Sequence, residues 1–188
     1  MTRNRMRDLQ SPIKRLAVVA SLVGCCAIPA AAQVHARLNE LGTQGAFETG
    51  RFTPDATDDQ SMLAFKLYYG RFISDRVAIG PALDIFKFEG TPASGSYGGF
   101  IDFHFGDTAR RLVPYLQGAG GQFFSGDSIK PVYFAVGPGV KWFFAEGGAL
   151  NINGVYRHQR FPEEIRNSAF TGYNDIVVTV GAAIYFGR

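Results

Sequence analysis

Cysteine is almost missing from this chain: Cys25 and Cys26 are the only two. Both fall within the first 32 residues, which read as a removable leader, so the remaining chain carries no thiol. A disulfide framework and thiol catalysis are thereby excluded. Helical periodicity is missing too, because no window repeats apolar residues at intervals of three and four. The apolar part of the leader is too short to remain as a membrane-spanning helix. Histidine is scarce, and His35, His104 and His158 lie far apart in sequence. With both cysteines in the leader, that scatter leaves no metal-ligand set.

The leader itself is explicit. Arg3, Arg5, Arg7, Lys14 and Arg15 open the chain, "LAVVASLVGCCAI" follows, and "PAAAQ" supplies small residues. A basic segment, a short apolar core and an Ala-x-Ala site describe a secretory signal peptide over residues 1–32, cleaved after Ala32. "LVGC" at Leu22–Cys25 also resembles a lipoprotein signal, in which Cys25 would become the lipidated first residue. Removing residues 1–32 takes away five of the 19 Lys and Arg and one of the 16 Asp and Glu, leaving 14 against 15. The whole-chain charge of +3 therefore belongs to the leader, and nothing left suggests nucleic-acid binding. Residues 33–188 fit one domain.

What is present is alternation. Eight segments of about ten residues show period-two patterning between Gly, Pro, Asp and Ser clusters. They cover roughly 41–52, 61–73, 77–88, 97–106, 113–124, 132–144, 149–158 and 175–186. Between them, long polar connections (53–60, 89–96, 125–131, 159–174) alternate strictly with short ones near 73–76, 106–111 and 145–148. In an antiparallel meander this places every long loop at one end and every short turn at the other. Outer-membrane barrels have that asymmetry, with the even strand count returning both termini to the periplasmic side. The fold class predicted is all-β: an eight-stranded, antiparallel, up-and-down transmembrane barrel over residues 33–188.

The direction of the apolar face decides between membrane and water. One face carries Phe65, Leu67, Tyr69, Val77, Ile79, Leu83 and Ile85, then Ile101, Phe103, Phe105, Phe134, Val136, Val140 and Trp142. On the last strand it adds Ile176, Val178, Val180, Ala182, Ile184 and Phe186. The other face is mostly Gly, Ala and Tyr with one or two polar groups per strand: Glu48, Lys66, Asp84, Asp102, His104, Gln117, Lys141, Asn151, Asn153 and Arg157. A soluble strand exposes Lys, Glu and Thr, whereas this composition suits the crowded interior of a narrow barrel. Glu48, Asp84 and Asp102 can there pair with Lys66, Lys141 and Arg157, the usual condition for burying ions. Tyr69, Tyr97, Phe105, Trp142, Phe144, Tyr156 and Phe186 fall at strand ends, where aromatic girdles form. A lipocalin-like soluble carrier would invert the two faces.

Four stretches carry a resemblance: "YYGRFISDRVAIGPALDIF", "VPYLQGAGGQFF", "VGPGVKWFFAEGGALNINGVYR" and the terminal "VGAAIYF". They resemble the outer-membrane β-barrel superfamily of Gram-negative bacteria, with its small OmpX-, OmpW- and OmpA-type barrels. The resemblance covers the whole mature chain, and its motifs speak to architecture and membrane rather than to an activity. It implies an integral outer-membrane location. It implies lipid and lipopolysaccharide as surroundings, and the barrel-assembly machinery and periplasmic chaperones as biogenesis partners. It also implies an assembly signal in the last strand, where Tyr185 and Phe186 fit although Gly187 and Arg188 follow. No cofactor is implied, and a monomer is expected.

Three candidate chemistries remain. "GVKWFFAEGGALNINGVYRHQRF" resembles the penultimate strand of a lipid A deacylase of the PagL type, with His158 at the position of its catalytic histidine. Two residues on, Arg160 stands where a serine is needed, so the Ser-His-carboxylate mechanism lacks its nucleophile there. Ser168 with Glu163 or Glu164 could substitute only if the loop folded back. Asp102 and His104 lie two apart on one strand face, where a carboxylate beside an imidazole can act as a base, or simply join an interior hydrogen-bond network. "DATDD" at 55–59 can bind a divalent cation weakly or stay solvated. The glycines of "GAGG" lack the lysine and helix of a phosphate loop and fit strand curvature in a narrow barrel. The predicted role is structural or surface-interactive, with a narrow channel for small solutes and a lipid A hydrolase as alternatives.

Overall fold

The computed structural model describes residues 35–49, 61–87, 94–107, 110–124, 130–160, 162 and 172–187. The leader with Cys25 and Cys26, the "DATDD" segment, and Glu163, Glu164 and Ser168 lie outside the described residues.

Eight strands follow one another: β1 (Asn39–Thr49), β2 (Ser61–Phe72), β3 (Val77–Lys87), β4 (Ser94–His104), β5 (Leu112–Phe124), β6 (Val132–Ala145), β7 (Gly148–Arg160) and β8 (Gly172–Phe186). Each pairs with its sequence neighbours, and β8 returns to β1, closing the barrel. The closing ladder runs antiparallel from Asn39 opposite Phe186 to Thr49 opposite Ile176. No sheet edge is left, as a barrel in lipid requires.

The strand ends differ from the sequence reading where composition misleads. β4 begins at Ser94 rather than 97, and β8 at Gly172 rather than 175. Ser and Gly read as loop, yet neighbouring ladders carry them: Ser94 pairs with Phe86, and Gly172 with Arg160. Conversely β4 stops at His104, because Gly106 takes a left-handed φ of 75° and turns the chain.

Short turns and both described chain ends share one end of the barrel. There the Arg37 amide donates to the Phe72 carbonyl at 2.8 Å and the Tyr185 amide to the Gly147 carbonyl at 2.9 Å. The four longer connections leave from the opposite end.

The apolar face points outward. Phe134 and Ile176 are 65% and 64% exposed, and Phe65, Leu67, Ile79, Ile85, Ile101, Val136, Trp142, Val178, Val180 and Ile184 share that face. Val77 and Val140 lie on it half-buried. Among the described residues, every outward-facing charge sits at a rim: Arg71 and the short-turn residues at one end, Lys130 and Arg160 at the other. Between the rims runs an uncharged belt. Ten residues rising 3.3 Å each at the usual barrel tilt span about 25 Å, the height of the apolar band of outer-membrane barrels. In water such a continuous surface would far exceed the few hundred Å² that soluble proteins tolerate.

The inside is tight because glycines let backbones touch. A Cβ on Gly121 would stand 2.3 Å from the Tyr97 carbonyl oxygen, and one on Gly98 2.2 Å from that of Gly120. The "GAGG" segment is therefore a packing feature of the β4–β5 wall.

Candidate functional site: the barrel lumen

The lumen holds two layers. At the short-turn end Lys141 on β6 projects into the centre and is 1% exposed at its side chain. Its Nζ donates to Glu40 Oε2 at 2.6 Å and lies 3.3 Å from Asp102 Oδ2. Three rings surround the ammonium, with centroids at 5.1 Å (Tyr115), 5.6 Å (Phe72) and 5.9 Å (Tyr185). Cation–π attraction of this kind strengthens when water is excluded.

Hydrogen bonds extend this centre around the wall. Tyr68 Oη donates to Glu40 Oε1 at 2.9 Å, and Asn151 Nδ2 donates to Glu40 Oε1 at 3.3 Å and to Tyr68 Oη. Gln117 Nε2 donates to Asp102 Oδ1 at 2.9 Å, and Asn153 Nδ2 to Gln117 Oε1 at 3.0 Å. Thr179 Oγ1 donates to Gln44 Oε1 at 3.2 Å and also contacts Asn153 Oδ1. Seven of the eight strands thus contribute to one polar web, β3 alone standing apart.

Beneath it the barrel is stopped by aromatic side chains. Phe143 and Tyr185 pack with tilted rings at 4.9 Å between centroids, as do Phe72 and His104 at 5.1 Å and His104 and Tyr115 at 5.6 Å. Phe72 and Phe143 are each 1% exposed. His104, Tyr115 and Tyr185 were expected inside; Phe72 and Phe143 were not, in a lumen read as mostly Gly, Ala and Tyr.

The upper layer is looser. A cavity of about 40 Å³ has Gln117, Asn153 and Thr179 along its lining and the small side chains Ala46, Ala64, Ala119 and Ala135 among its walls. That is room for about three water molecules. Lys66 lies 3.8 Å from Asp84, which also accepts from Ser96 Oγ at 2.9 Å. Arg157 Nε donates to Asp175 Oδ1 at 3.1 Å and its second arm to Asp175 Oδ2, with the guanidinium 5.7 Å from the Phe123 ring.

The lumen residues named from sequence therefore come together, with corrections. Among the pairings considered, Lys66–Asp84 and Lys141–Asp102 form, and Arg157 also binds Asp175, a carboxylate the sequence reading did not name. Asp102 and His104 do not bond each other: Asp102 is held by Gln117 and Lys141, whereas His104 Nδ1 sits 3.2 Å from the Arg76 carbonyl oxygen. Glu48 is placed by its backbone alone, opposite Met62 and Val177; its side chain lies outside the described part. Glu40, the principal partner of Lys141, was missed because the first strand was begun at 41. Two-residue phase with Gly42 and Gln44 puts it on the lumen face, as phase with Thr179 does for Asp175.

His158 lies on the outer wall at the long-loop end, with Nδ1 2.7 Å from Asn174 Oδ1. Among the described residues no hydroxyl or thiol is bonded to it. The described residues hold no group of three or more His, Cys, Asp or Glu placed to bind a metal. Tyr185 is buried in the aromatic layer, while Phe186 faces outward opposite Asn39.

No family model matches the sequence, and no curated protein matches it significantly. Solved structures do match in fold. The N-terminal β-barrel domain of OprF from Pseudomonas aeruginosa aligns with a TM-score of 0.55 at 16% identity, over 81% of this chain and 99% of that one. Neisserial surface protein A aligns at 0.52 and 15%, over 80% and 96%. The outer membrane protein OprG of Pseudomonas aeruginosa aligns at 0.51 and 10%, over 82% and 98%. The chain has the fold of small eight-stranded outer-membrane barrels.

Proposed function

We propose that this protein is an integral outer-membrane barrel of a Gram-negative bacterium that serves as a closed scaffold for its long loops. The uncharged outward belt supports the membrane location, since a charged side chain facing lipid at mid-bilayer costs about 2–4 kcal/mol. The observation that carries the closed-scaffold reading is the plug: Lys141 bound by Glu40 and Asp102 above the Phe72, Phe143 and Tyr185 rings. A conduit would need water to pass this level, and the cavity lined by Gln117, Asn153 and Thr179 lies above it. Contact with the outside then falls to the loops, the part of a rigid fold that ordinarily carries recognition. Tyr185 and Phe186 act in biogenesis as the segment read by the assembly machinery.

The test is conductance. Folded protein in a planar bilayer should give no steps above the bilayer background, while a triple variant Phe72→Ala/Phe143→Ala/Tyr185→Ala should open the barrel. Regular steps from the wild type would sink the scaffold reading in favour of a channel. Failure of the protein to insert into lipid at all would sink the membrane reading as well.

A further inference from the structure

The bore changes abruptly between the two layers of the lumen, and it does so on the same strand pairs. At the plug, Gly42 pairs with Tyr68 across β1 and β2, and Gly139 with Tyr115 across β5 and β6. A Cβ on either glycine would stand 2.3 Å from the tyrosine Cζ, so each ring lies over its glycine and fills the lumen. Further toward the long-loop end, these two strand pairs carry Ala46 opposite Ala64 and Ala119 opposite Ala135. In the closed order β1–β2 and β5–β6 stand on opposite sides of the barrel. Four methyl groups therefore face one another at a level that an eight-stranded barrel ordinarily fills with larger side chains. The cavity of about 40 Å³ lies there, with Val155 and Val177 completing its apolar waist.

Its floor is polar and only partly satisfied. Gln117 Nε2 carries two N–H groups and gives one to Asp102, while Asn153 Oδ1 has two lone pairs and meets one partner, Thr179. Both side chains line the cavity and are joined by the bond from Asn153 Nδ2 to Gln117 Oε1. A hydrogen-bond donor and an acceptor thus remain side by side at the floor. At the mouth the described charges cancel, Lys66 lying 3.8 Å from Asp84 and Arg157 holding Asp175. Lys66 and Asp84 keep 18% and 20% of their side-chain surface, against 1% for Lys141 in the plug. Solvent therefore enters from the long-loop side and stops at the plug.

We propose that this cavity binds a small neutral amide of about four non-hydrogen atoms, the bulk of the three waters it has room for. The amide carbonyl accepts from Gln117 Nε2, its N–H donates to Asn153 Oδ1, and its alkyl end packs on the four alanines. A carboxylate brings no donor for Asn153 and an ammonium brings no acceptor for Gln117. Either ion also loses hydration beneath a mouth whose charges are already paired. A hydrocarbon would leave both floor groups unpaired. The inference adds a ligand to the scaffold reading and relies on its sealed plug, which makes the cavity a blind cup.

The test titrates acetamide into the folded, isotope-labelled barrel in lipid nanodiscs and follows the side-chain amide signals of Gln117 and Asn153 by NMR. Saturation with a Kd of about 1 mM is expected, within what four non-hydrogen atoms can supply. Acetate and methylammonium should bind roughly tenfold more weakly, the effect of one unmade hydrogen bond. Ala119→Val/Ala135→Val fills the waist and should weaken acetamide by at least a similar factor, while Val178→Ala on the outer wall should change nothing. Heat-modifiable migration is checked first for every variant, and Ala46→Val on the opposite side replaces the double variant if that one does not fold. Shifts that never saturate, equal binding of either ion, or unchanged affinity in the filled variant overturns the proposal. Passage of acetamide into sealed vesicles carrying the wild type overturns the scaffold reading instead.

Discussion

Lys141 and Glu40 meet at 2.6 Å across the lumen, although their strands, β6 and β1, share no ladder. This bond ties opposite parts of the wall together and neutralises one of two buried carboxylates, Asp102 being held by the same ammonium. Lys141→Met keeps most of the volume but leaves both acids unpaired, which should cost about 3–5 kcal/mol. Adding Glu40→Gln and Asp102→Asn to it should recover most of that loss. Urea unfolding in phospholipid vesicles, followed by the fluorescence of Trp142, checks both. Equal stability of single and triple variants would mean the charges do not matter to the fold.

Gly181 and Gly154 should behave oppositely. A Cβ on Gly181 would fall 1.9 Å from the Thr43 carbonyl oxygen in the closing ladder, whereas one on Gly154 meets nothing within 4 Å. Gly181→Ala should therefore destabilise by about 1–3 kcal/mol, the range for forced overpacking. Gly154→Ala should be near neutral or slightly stabilising. The same unfolding assay separates them.

The closing register makes a covalent prediction. Thr43 stands opposite Ala182, both facing outward, and the mature chain read from the sequence contains no other cysteine. Directly opposed antiparallel residues have Cα separations within disulfide range. Thr43→Cys/Ala182→Cys should crosslink under mild oxidant and migrate faster when denatured without reductant. Thr43→Cys/Val180→Cys, displaced by two residues, should crosslink far less. The reverse order would place the seam out of register.

Much of this architecture was legible in the sequence, and its limits were physical. Strict alternation fixed which face each of Phe65, Lys66, Leu67 and Tyr68 takes, because a strand's period admits only two answers. The alternation of long and short connections fixed the topology. Strand ends were less readable, since Ser94 and Gly172 become strand only by pairing with a neighbour. Ion partners were least readable. Alternation says that Arg157 and Lys141 point inward, but Asp175 becomes a partner of the first through ladder register and Glu40 a partner of the second by reaching across the lumen. Phe72 and Phe143 show the same limit: phase alone does not say that a narrow barrel will seal one end with large rings.

Trp142, the single tryptophan, tests the central claim most directly. It stands on the outer wall, 47% exposed, between Leu112 and Leu150 of the adjacent strands. Its fluorescence should be measured in vesicles made with brominated acyl chains and, separately, with iodide in the water. An apolar wall facing lipid requires strong quenching by bromine and little by iodide. Quenching by iodide with none by bromine would mean that this face meets water and that the barrel does not span the membrane.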